Sequence, residues 1–243
     1  MFFQSKTEKF VIIGAGGAGR EMYWHLVRFN QIRQEMGLCP CECIGFLDDA
    51  KKTLEDFGDY PPVLGVIAEE AVPRDVSLVL AIGKPERRLQ VIKQLHKILD
   101  RFPNVDLGIK SREYGGVSPA ARGIKMGFGN FFTENVSMLS HVTLGNFNYF
   151  NGQSIVGHNV VIGNNCEITA HSFIGGYVTL GNGVYLGPGC VVAAGYRIGD
   201  WSKISTNSTV QKDIPPNSYV VGVPGKVYKN FFPAPADADW LPK

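Results

Sequence analysis

The stretch that decides the fold is NGQSIVGHNVVIGNNCEITAHSFIGGYVTLGNGVYLGPG, residues 151–189. Within it a large aliphatic residue returns at every sixth position, and glycine follows most of these residues. The same register continues in both directions without an insertion, so that fifteen successive positions hold a large apolar residue. These positions are Met126, Phe132, Met138, Leu144, Phe150, Val156, Ile162, Ile168, Ile174, Leu180, Leu186, Val192, Ile198, Ile204 and Val210. Neither a helix nor an ordinary strand has this period.

A six-residue repeat of this kind resembles the hexapeptide-repeat proteins, whose fold is a left-handed parallel β-helix. Each hexad is expected to form one short strand and one corner, so that three hexads make a triangular coil of eighteen residues. The apolar residue points into the prism, and glycine or a small residue follows at the tight corner. Fifteen hexads predict five coils, or about 24 Å of prism at ~4.8 Å per coil. The repeat ends at Pro215-Pro216.

The residues before the repeat have a different pattern. Strand-like runs at Phe10–Ile13, Cys43–Leu47 and Val76–Ile82 alternate with helix-like segments at 21–34 and after Pro85. Alternating strands and helices predict a parallel sheet with helices on its faces. The predicted fold class is therefore an α/β Rossmann-like domain followed by the β-helix.

Composition and charge exclude several classes of protein. The 243 residues carry 24 Lys and Arg against 22 Asp and Glu, which argues against a nucleic-acid-binding surface. No apolar run is long enough to insert into a membrane, and the N-terminal MFFQSKTEKF has charges where a signal peptide needs apolar residues. Five cysteines without secretory features predict reduced thiols and a cytoplasmic protein.

The eighteen-residue coil also predicts which side chains are neighbours. His158 falls in one column with Ser140, Gly176 and Ala194, and His141 falls in the adjacent column. Because Gly176 has no side chain, a ligand can reach its backbone N–H beside the imidazole. A histidine base next to a free backbone donor is the minimum set for acyl transfer. The alternative is an ordinary surface histidine on the repeat.

Three further segments carry a family resemblance. GAGGAGRE (14–21), GFLDD (45–49) and AIGKPERR (81–88), together with the hexad array, resemble the NeuD/PglD-like family of bacterial sugar acyltransferases. The resemblance covers roughly residues 9–229. It implies a homotrimer that binds acetyl-CoA between neighbouring β-helices and needs no metal.

The resemblance also implies the domains and the activity. Residues 1–112 would form a Rossmann-like domain that binds a nucleotide sugar, and residues 113–243 the acyltransferase β-helix with its C-terminal cap and tail. The implied enzyme is an acetyl-CoA-dependent N-acetyltransferase for a nucleotide-linked amino sugar, such as a 4-amino-4,6-dideoxy sugar, in surface polysaccharide or glycan biosynthesis. One alternative is a sugar O-acetyltransferase of the sialic acid type. A second is a non-catalytic, nucleotide-binding trimeric scaffold.

Site residues follow from the same resemblance. His158 matches the family's general base, Asn159 would orient it, and the Gly176 N–H would face the thioester oxygen. The implied substrate-binding residues are Gly14, Gly16, Gly17, Gly19, Arg20, Asp48, Asp49, Gly83 and Asn151. The implied coenzyme-binding residues are Gly176, Ala194, Gly195, Pro224 and Lys226.

The sequence departs from the family pattern at three positions. Asn159 stands where an acidic residue is common, Glu167 where relatives have a second histidine, and Ala18 where histidine is frequent. An amide oxygen still accepts an imidazole N–H, but it stabilises imidazolium less than a carboxylate does. This suits an amine acceptor, which needs less activation than a hydroxyl. Asn159 and Glu167 are also the features that would favour the scaffold alternative.

A dinucleotide-binding site is one alternative interpretation, but the sequence supports it less well than the acyltransferase site. Gly14-x-Gly16-x-x-Gly19 fits a dinucleotide fingerprint with Asp48 or Asp49 on the ribose, but the domain has room for only one mononucleotide half.

A metal site is also disfavoured. Cys39-x-Cys41-x-Cys43 lacks a nearby histidine, and the β-helix histidines at 141, 158 and 171 lack the close pair of a zinc carbonic anhydrase. Cys166 and Cys190 lie at inward hexad positions and are interpreted as structural.

Overall fold

The computed structural model describes residues 8–35, 37–50, 54, 56–106, 123–229 and 233–238. They belong to two compact units that divide near residue 107. The domain boundary predicted at residues 112 and 113 lies outside the described residues. Within the described ranges, no helix has the length and apolar character needed to cross a bilayer.

The first unit is a parallel α/β arrangement, as predicted. Its elements are β1 (Glu8–Ile13), α1 (Gly17–Glu35), β2 (Cys41–Leu47), β3 (Val63–Gly65), β4 (Ser77–Leu80), α2 (Pro85–Gln94) and β5 (Val105–Asp106), with 3-10 helices at Glu69–Ala71 and His96–Arg101. The strand order is β3-β2-β1-β4, and all neighbours run parallel. The edge strand β3 was not predicted, because three residues give too short a pattern to detect.

Apolar spacing explains the two helices. Met22, Leu26 and Phe29 of α1 are buried, at the spacing of one helix face. Pro85 occupies the first turn of α2, where no backbone donor is required. The helix ends at Gln94, and a 3-10 helix follows from His96.

The second unit is the predicted β-helix, with three faces of short strands. The first face contains Phe131–Phe132, Tyr149–Phe150, Glu167–Ile168, Tyr185–Leu186, Lys203–Ile204, Ser218–Val221 and Lys226–Lys229. The second contains Ser137–Met138, Ile155–Val156, Phe173–Ile174, Val191–Val192 and Thr209–Val210. The third contains Lys125–Met126, Thr143–Leu144, Val161–Ile162, Thr179–Leu180 and Arg197–Ile198.

The repeat strands pair in parallel with the strand eighteen residues further on, except that Lys203–Ile204 pairs with Tyr219–Val220, sixteen residues on. The inward apolar positions form one core, with Met126 only partly buried at its first coil. The predicted fold class is thereby confirmed. After Pro215-Pro216, strand Ser218–Val221 pairs antiparallel with Lys226–Lys229 as a terminal hairpin.

The glycines that follow the inward residues lie before the tight corner and not, as the repeat pattern predicts, at it. The left-handed corner residue lies three positions after the inward residue, as at Asn159 and Tyr177, with φ of 57° and 61°. A Cβ at Gly163 would instead lie 2.8 Å from the backbone of Gly181, and one at Gly175 2.6 Å from the Ala194 nitrogen. At these two positions glycine is needed because the next coil approaches too closely for a side chain.

A ladder of amide side chains also joins successive coils. The Asn146 N–H donates to Asn164 Oδ1 at 2.7 Å, the Asn164 N–H to Asn182 Oδ1 at 2.8 Å, and the Asn182 N–H to Asp200 Oδ1 at 3.0 Å. Each carboxamide or carboxylate therefore satisfies a corner N–H that the strands leave unpaired. The eighteen-residue spacing of Asn and Asp was the sequence pattern that could have predicted it.

All five cysteines are free thiols. Cys166 and Cys190 are buried and donate to the carbonyls of Gly181 and Ser205, both at 3.0 Å. Burial raises the pKa of Cys41 and of Cys43 to about 11, so both remain protonated thiols at neutral pH. These cysteines are structural.

The coil spacing gives a test of the glycine positions. Gly163→Ala should lower the free energy of unfolding by about 1–3 kcal/mol, because the new methyl group overpacks the contact with Gly181. Thermal melting measures the effect. Ser205→Ala is the matched control, since Ser205 occupies the same hexad position and already has a Cβ. Equal melting temperatures for the two variants would disprove the close-approach explanation.

Candidate active site

His158 lies at the corner between the second and third faces. Strand Ile155–Val156 ends two residues earlier, and Asn159 turns the chain with its left-handed backbone. The Asn159 N–H donates to the Ser140 carbonyl at 3.0 Å, which ties this corner to the preceding coil. The imidazole is exposed. The backbone is thus fixed on both sides while the side chain faces solvent.

One ring nitrogen of His158 is held by its neighbour. Nδ1 lies 3.0 Å from Oδ1 of Asn159. With an amide oxygen as acceptor, Nδ1 carries the proton and Nε2 keeps its lone pair. The arrangement presents Nε2 as a base.

Gly176 lies directly beside that base, as the eighteen-residue spacing predicts. A Cβ on Gly176 would lie 2.8 Å from both Cε1 and Nε2 of His158. Its carbonyl accepts from the Gly195 N–H at 2.9 Å, whereas its own N–H donates to no group in the described part of the chain. A proton acceptor and an unused backbone donor therefore meet at one exposed corner, which is what stabilisation of a tetrahedral oxyanion requires.

The same corner continues as an open path toward the hairpin. Ala194 is exposed, and a Cβ on Gly195 would meet no atom within 4 Å. The column then reaches Lys212, three coils or about 14 Å from His158. Lys212 lines a cavity of about 630 Å³ together with Pro224 and Lys226. Lys212 was not among the predicted residues of this region, although it shares the eighteen-residue spacing of His158.

Asn151 and Glu167 do not lie beside His158 within one chain. Asn151 lies at the corner between the first and second faces, at the opposite end of the second face from His158. Glu167 lies on the first face and is 8% exposed. Neither side chain shares the corner that His158 and Gly176 form.

The glycine loop of the first unit combines packing with open backbone. Gly14 follows β1 with φ of 100°, and its N–H donates to the Leu47 carbonyl at 2.8 Å. Gly19 packs so closely against the Gly14 carbonyl that a side chain would overlap it. Side chains on Gly16 or Gly17 would meet no atom within 4 Å. Because α1 begins at Gly17, its first N–H groups have no acceptor within the helix, and such groups suit an anion.

Both predicted aspartates have protein partners. Asp48 accepts from the Ala15 N–H at 2.6 Å and from the Ala50 N–H at 2.8 Å, so it ties the glycine loop to the end of β2. Asp49 pairs with Arg87 at 2.7 Å and accepts from the Ile67 N–H at 3.1 Å. The structure therefore gives each carboxylate a role in holding loops. Contact of either one with a nucleotide stays a prediction.

The remaining predicted residues of this unit flank the loop. The Arg20 guanidinium lies over the Phe57 ring, 3.9 Å from its centroid. The Gly83 carbonyl accepts from buried Arg88 at 3.2 Å, which fixes the turn into α2. Across the described ranges, no group of three or more His, Cys, Asp or Glu side chains is placed to hold a metal ion.

Comparison with known proteins agrees with this architecture. Residues 9–95 match the family model described as the PglD N-terminal domain. The fold is similar to the acetyltransferase domain of PglB from Neisseria gonorrhoeae FA1090, in complex with acetyl coenzyme A, with 19% identity and a TM-score of 0.70 over 92% of this chain and 100% of that one. The family match supports the resemblance to the NeuD/PglD-like family over residues 9–95, and the structural likeness shows the shared fold.

Two further proteins are similar. PerB from Caulobacter crescentus, solved with CoA and GDP-perosamine, has 21% identity and a TM-score of 0.69 over 92% of this chain and 98% of that one. A serine acetyltransferase from Mycobacterium tuberculosis (strain ATCC 25618 / H37Rv) is 41% identical over 58 residues, 24% of this chain and 25% of the relative. The chain spans a quarter or less of the length of the curated relatives it matches.

The Nδ1 contact leads to a spectroscopic prediction. Asn159→Ala removes the acceptor of the Nδ1 proton, so His158 should change from one tautomer with a free Nε2 lone pair to a mixture of both. Nitrogen-15 NMR of histidine-labelled protein distinguishes the tautomers, and His158→Ala identifies the resonance. Asn159→Asp, which retains an acceptor oxygen, is the matched control. An unchanged tautomer in Asn159→Ala would show that another group orients the ring.

Proposed function

We propose that this chain transfers an acetyl group from acetyl-CoA to an amine of a nucleotide-linked sugar, with His158 as the general base. The observation that carries the proposal is that His158 Nε2 lies beside Gly176, whose N–H donates to no group in the described part of the chain. The likeness to proteins solved with acetyl-CoA or CoA supports the choice of acyl donor.

His158 and Gly176 have separate roles in the proposed reaction. As the amine nitrogen bonds to the thioester carbonyl carbon, His158 Nε2 accepts the proton that the amine loses. The Gly176 N–H donates to the carbonyl oxygen as it becomes negatively charged. When the carbon–sulfur bond breaks, the imidazolium returns its proton to the departing thiolate. The products are an amide and free CoA, and His158 is again neutral.

Asn159 supports an amine as the acceptor. Its amide oxygen lies 3.0 Å from Nδ1 of His158 and fixes the tautomer, but it adds no negative charge to stabilise imidazolium. An amine is already a good nucleophile and needs its proton removed only as the bond forms. A hydroxyl acceptor would require a stronger base.

The open corner path supports the placement of the coenzyme. Ala194 and Gly195 leave room for a slender chain that runs from Gly176 toward the cavity. Lys212 and Lys226 line that cavity, and their ammonium groups suit phosphates. Pro224 contributes to the same wall.

The first unit is proposed to bind the nucleotide. The exposed amides at Gly16 and Gly17 suit a phosphate, and Arg20 adds a cation on the same side of α1. We propose a 4-amino-4,6-dideoxy sugar as the acceptor, in a route to surface polysaccharide or glycan. The presence of GDP-perosamine in the PerB structure supports a nucleotide-linked sugar.

A homotrimer completes the proposal. The outward side chains of Ile155, Phe173 and Val191 form an apolar column on the second face, with exposures of 40%, 43% and 38%. A second copy on this face would cover the column. Because Asn151 and His158 lie at opposite ends of the face, we place the site between copies, with one residue from each.

The base assignment is tested by the release of CoA from acetyl-CoA with a panel of UDP-, GDP- and dTDP-linked 4-amino-4,6-dideoxy sugars. His158→Ala should lower turnover by about 10²–10⁴ without a change in thermal melting, because only proton transfer is lost. His141→Ala, a nearby exposed histidine in the adjacent column, should retain turnover.

Other outcomes would revise the proposal. Release only with a hydroxyl acceptor such as a sialic acid would replace N-acetylation with O-acetylation. Binding of acetyl-CoA without release on any acceptor would favour the non-catalytic scaffold. Unfolding of His158→Ala would assign the histidine a structural role.

The trimer has its own test. Light scattering of the wild type should give three times the 26.6 kDa chain mass. Phe173→Glu places a charge in the apolar column and should give the mass of a single chain, with turnover lost if the site lies between copies. Leu64→Glu is the control, because Leu64 is 41% exposed on the first unit. A monomeric wild type would contradict the shared site.

A further inference from the structure

Tyr177 differs from the other large aromatic residues at the corners of the β-helix. Phe147, Tyr177 and Trp201 all have left-handed backbones, with φ of 55°, 61° and 58°. Phe147 and Trp201 are 1% and 4% exposed, so burial of their rings offsets the strain of this conformation. Tyr177 is 63% exposed. Within a single chain its ring therefore gains little from burial.

The corner geometry determines which contact the ring makes. The buried corner rings lie over a glycine of the preceding coil, with Phe147 over Gly129 and Trp201 over Gly183. A corner side chain thus leans toward the coil before it. For Tyr177 the equivalent residue in that coil is Asn159, whose side chain is already bonded to His158.

The Tyr177 ring consequently meets the His158 imidazole. The two centroids are 5.1 Å apart and the ring planes are perpendicular, which is a favoured edge-to-face arrangement. The backbone reinforces the contact, because the Tyr177 N–H donates to the His158 carbonyl at 3.0 Å. The ring and the backbone of Tyr177 therefore both contact His158.

We propose that Tyr177 is a positioning residue for His158, and that its aromatic ring restrains the imidazole so that Nε2 faces Gly176. Asn159 fixes which nitrogen carries the proton, but a single hydrogen bond leaves an exposed side chain free to change rotamer. The Tyr177 ring restricts that freedom. Gly176 leaves the remaining side open to the reactants. The effect on catalysis rests on the proposed acetyl transfer.

Two variants of Tyr177 separate the effect of its ring from that of its hydroxyl group, and a variant at another corner controls for the backbone. Tyr177→Asn retains a residue suited to the left-handed corner but removes the ring. It should lower kcat for CoA release about tenfold, which corresponds to about 1.4 kcal/mol. The KM for acetyl-CoA should change less than twofold. Tyr177→Phe should retain kcat within twofold, because it keeps the ring.

His141→Asn is the matched control for the corner. His141 lies two coils before Tyr177 in the same column and has φ of 59°. This substitution also replaces an aromatic ring with Asn at a left-handed corner, and it should leave kcat unchanged. A loss of kcat equal to that of Tyr177→Asn would overturn the proposal, because it would show a general effect of corner substitution.

A second readout does not depend on acetyl transfer. In protein labelled at histidine, the ring C–H resonances of His158 should shift toward those of a free histidine in Tyr177→Asn and stay in place in Tyr177→Phe. The shift reports loss of the contact with the ring, and a faster relaxation of the His158 ring C–H groups in Tyr177→Asn alone would show that the ring restrains the imidazole, even if no acceptor sugar supports turnover. Failure of the proposed function would be recognised separately, as an inactive wild type with normal His158 resonances.

Two further results would overturn the positioning role. One is a Tyr177→Asn variant with wild-type kcat and unchanged His158 resonances. The other is a Tyr177→Phe variant as impaired as Tyr177→Asn, which would assign the effect to the hydroxyl group.

Discussion

The close, regular spacing of successive coils is the constraint on which the β-helix depends. Parallel strands eighteen residues apart are hydrogen-bonded at every turn, so each coil lies about 4.8 Å from the next. Within this distance each apolar residue contacts its equivalent above and below. Polar corner groups are satisfied by the ladder of Asn146, Asn164, Asn182 and Asp200. One spacing therefore organises both the core and the corners.

The candidate site uses the same spacing. Close approach excludes a side chain at Gly175, and the following Gly176 leaves its N–H beside His158. The lean of each corner residue toward the preceding coil brings Tyr177 onto the imidazole. His158, the Gly176 N–H and the Tyr177 ring are thus brought together from two adjacent coils without any loop insertion. The rigidity of the repeat preorganises them.

The first unit follows a different principle. A parallel sheet brings the ends of β1 and β2 together, where Asp48 accepts the Ala15 N–H and holds the glycine loop. Close packing of Gly19 against Gly14 sets the start of α1. The loop is therefore shaped by contacts inside the protein.

The amino-acid sequence alone determined the β-helix, its register and the neighbourhood of His158 and Gly176, because a six-residue period without insertions converts sequence distance directly into spatial distance. It also determined the parallel α/β character of the first unit. Only the tertiary structure decided which glycines are needed for close approach, that Asp48 and Asp49 have internal partners, and that Tyr177 contacts His158. These features depend on the direction in which side chains point between neighbouring coils or strands. The six-residue period of the sequence carries no information about that direction.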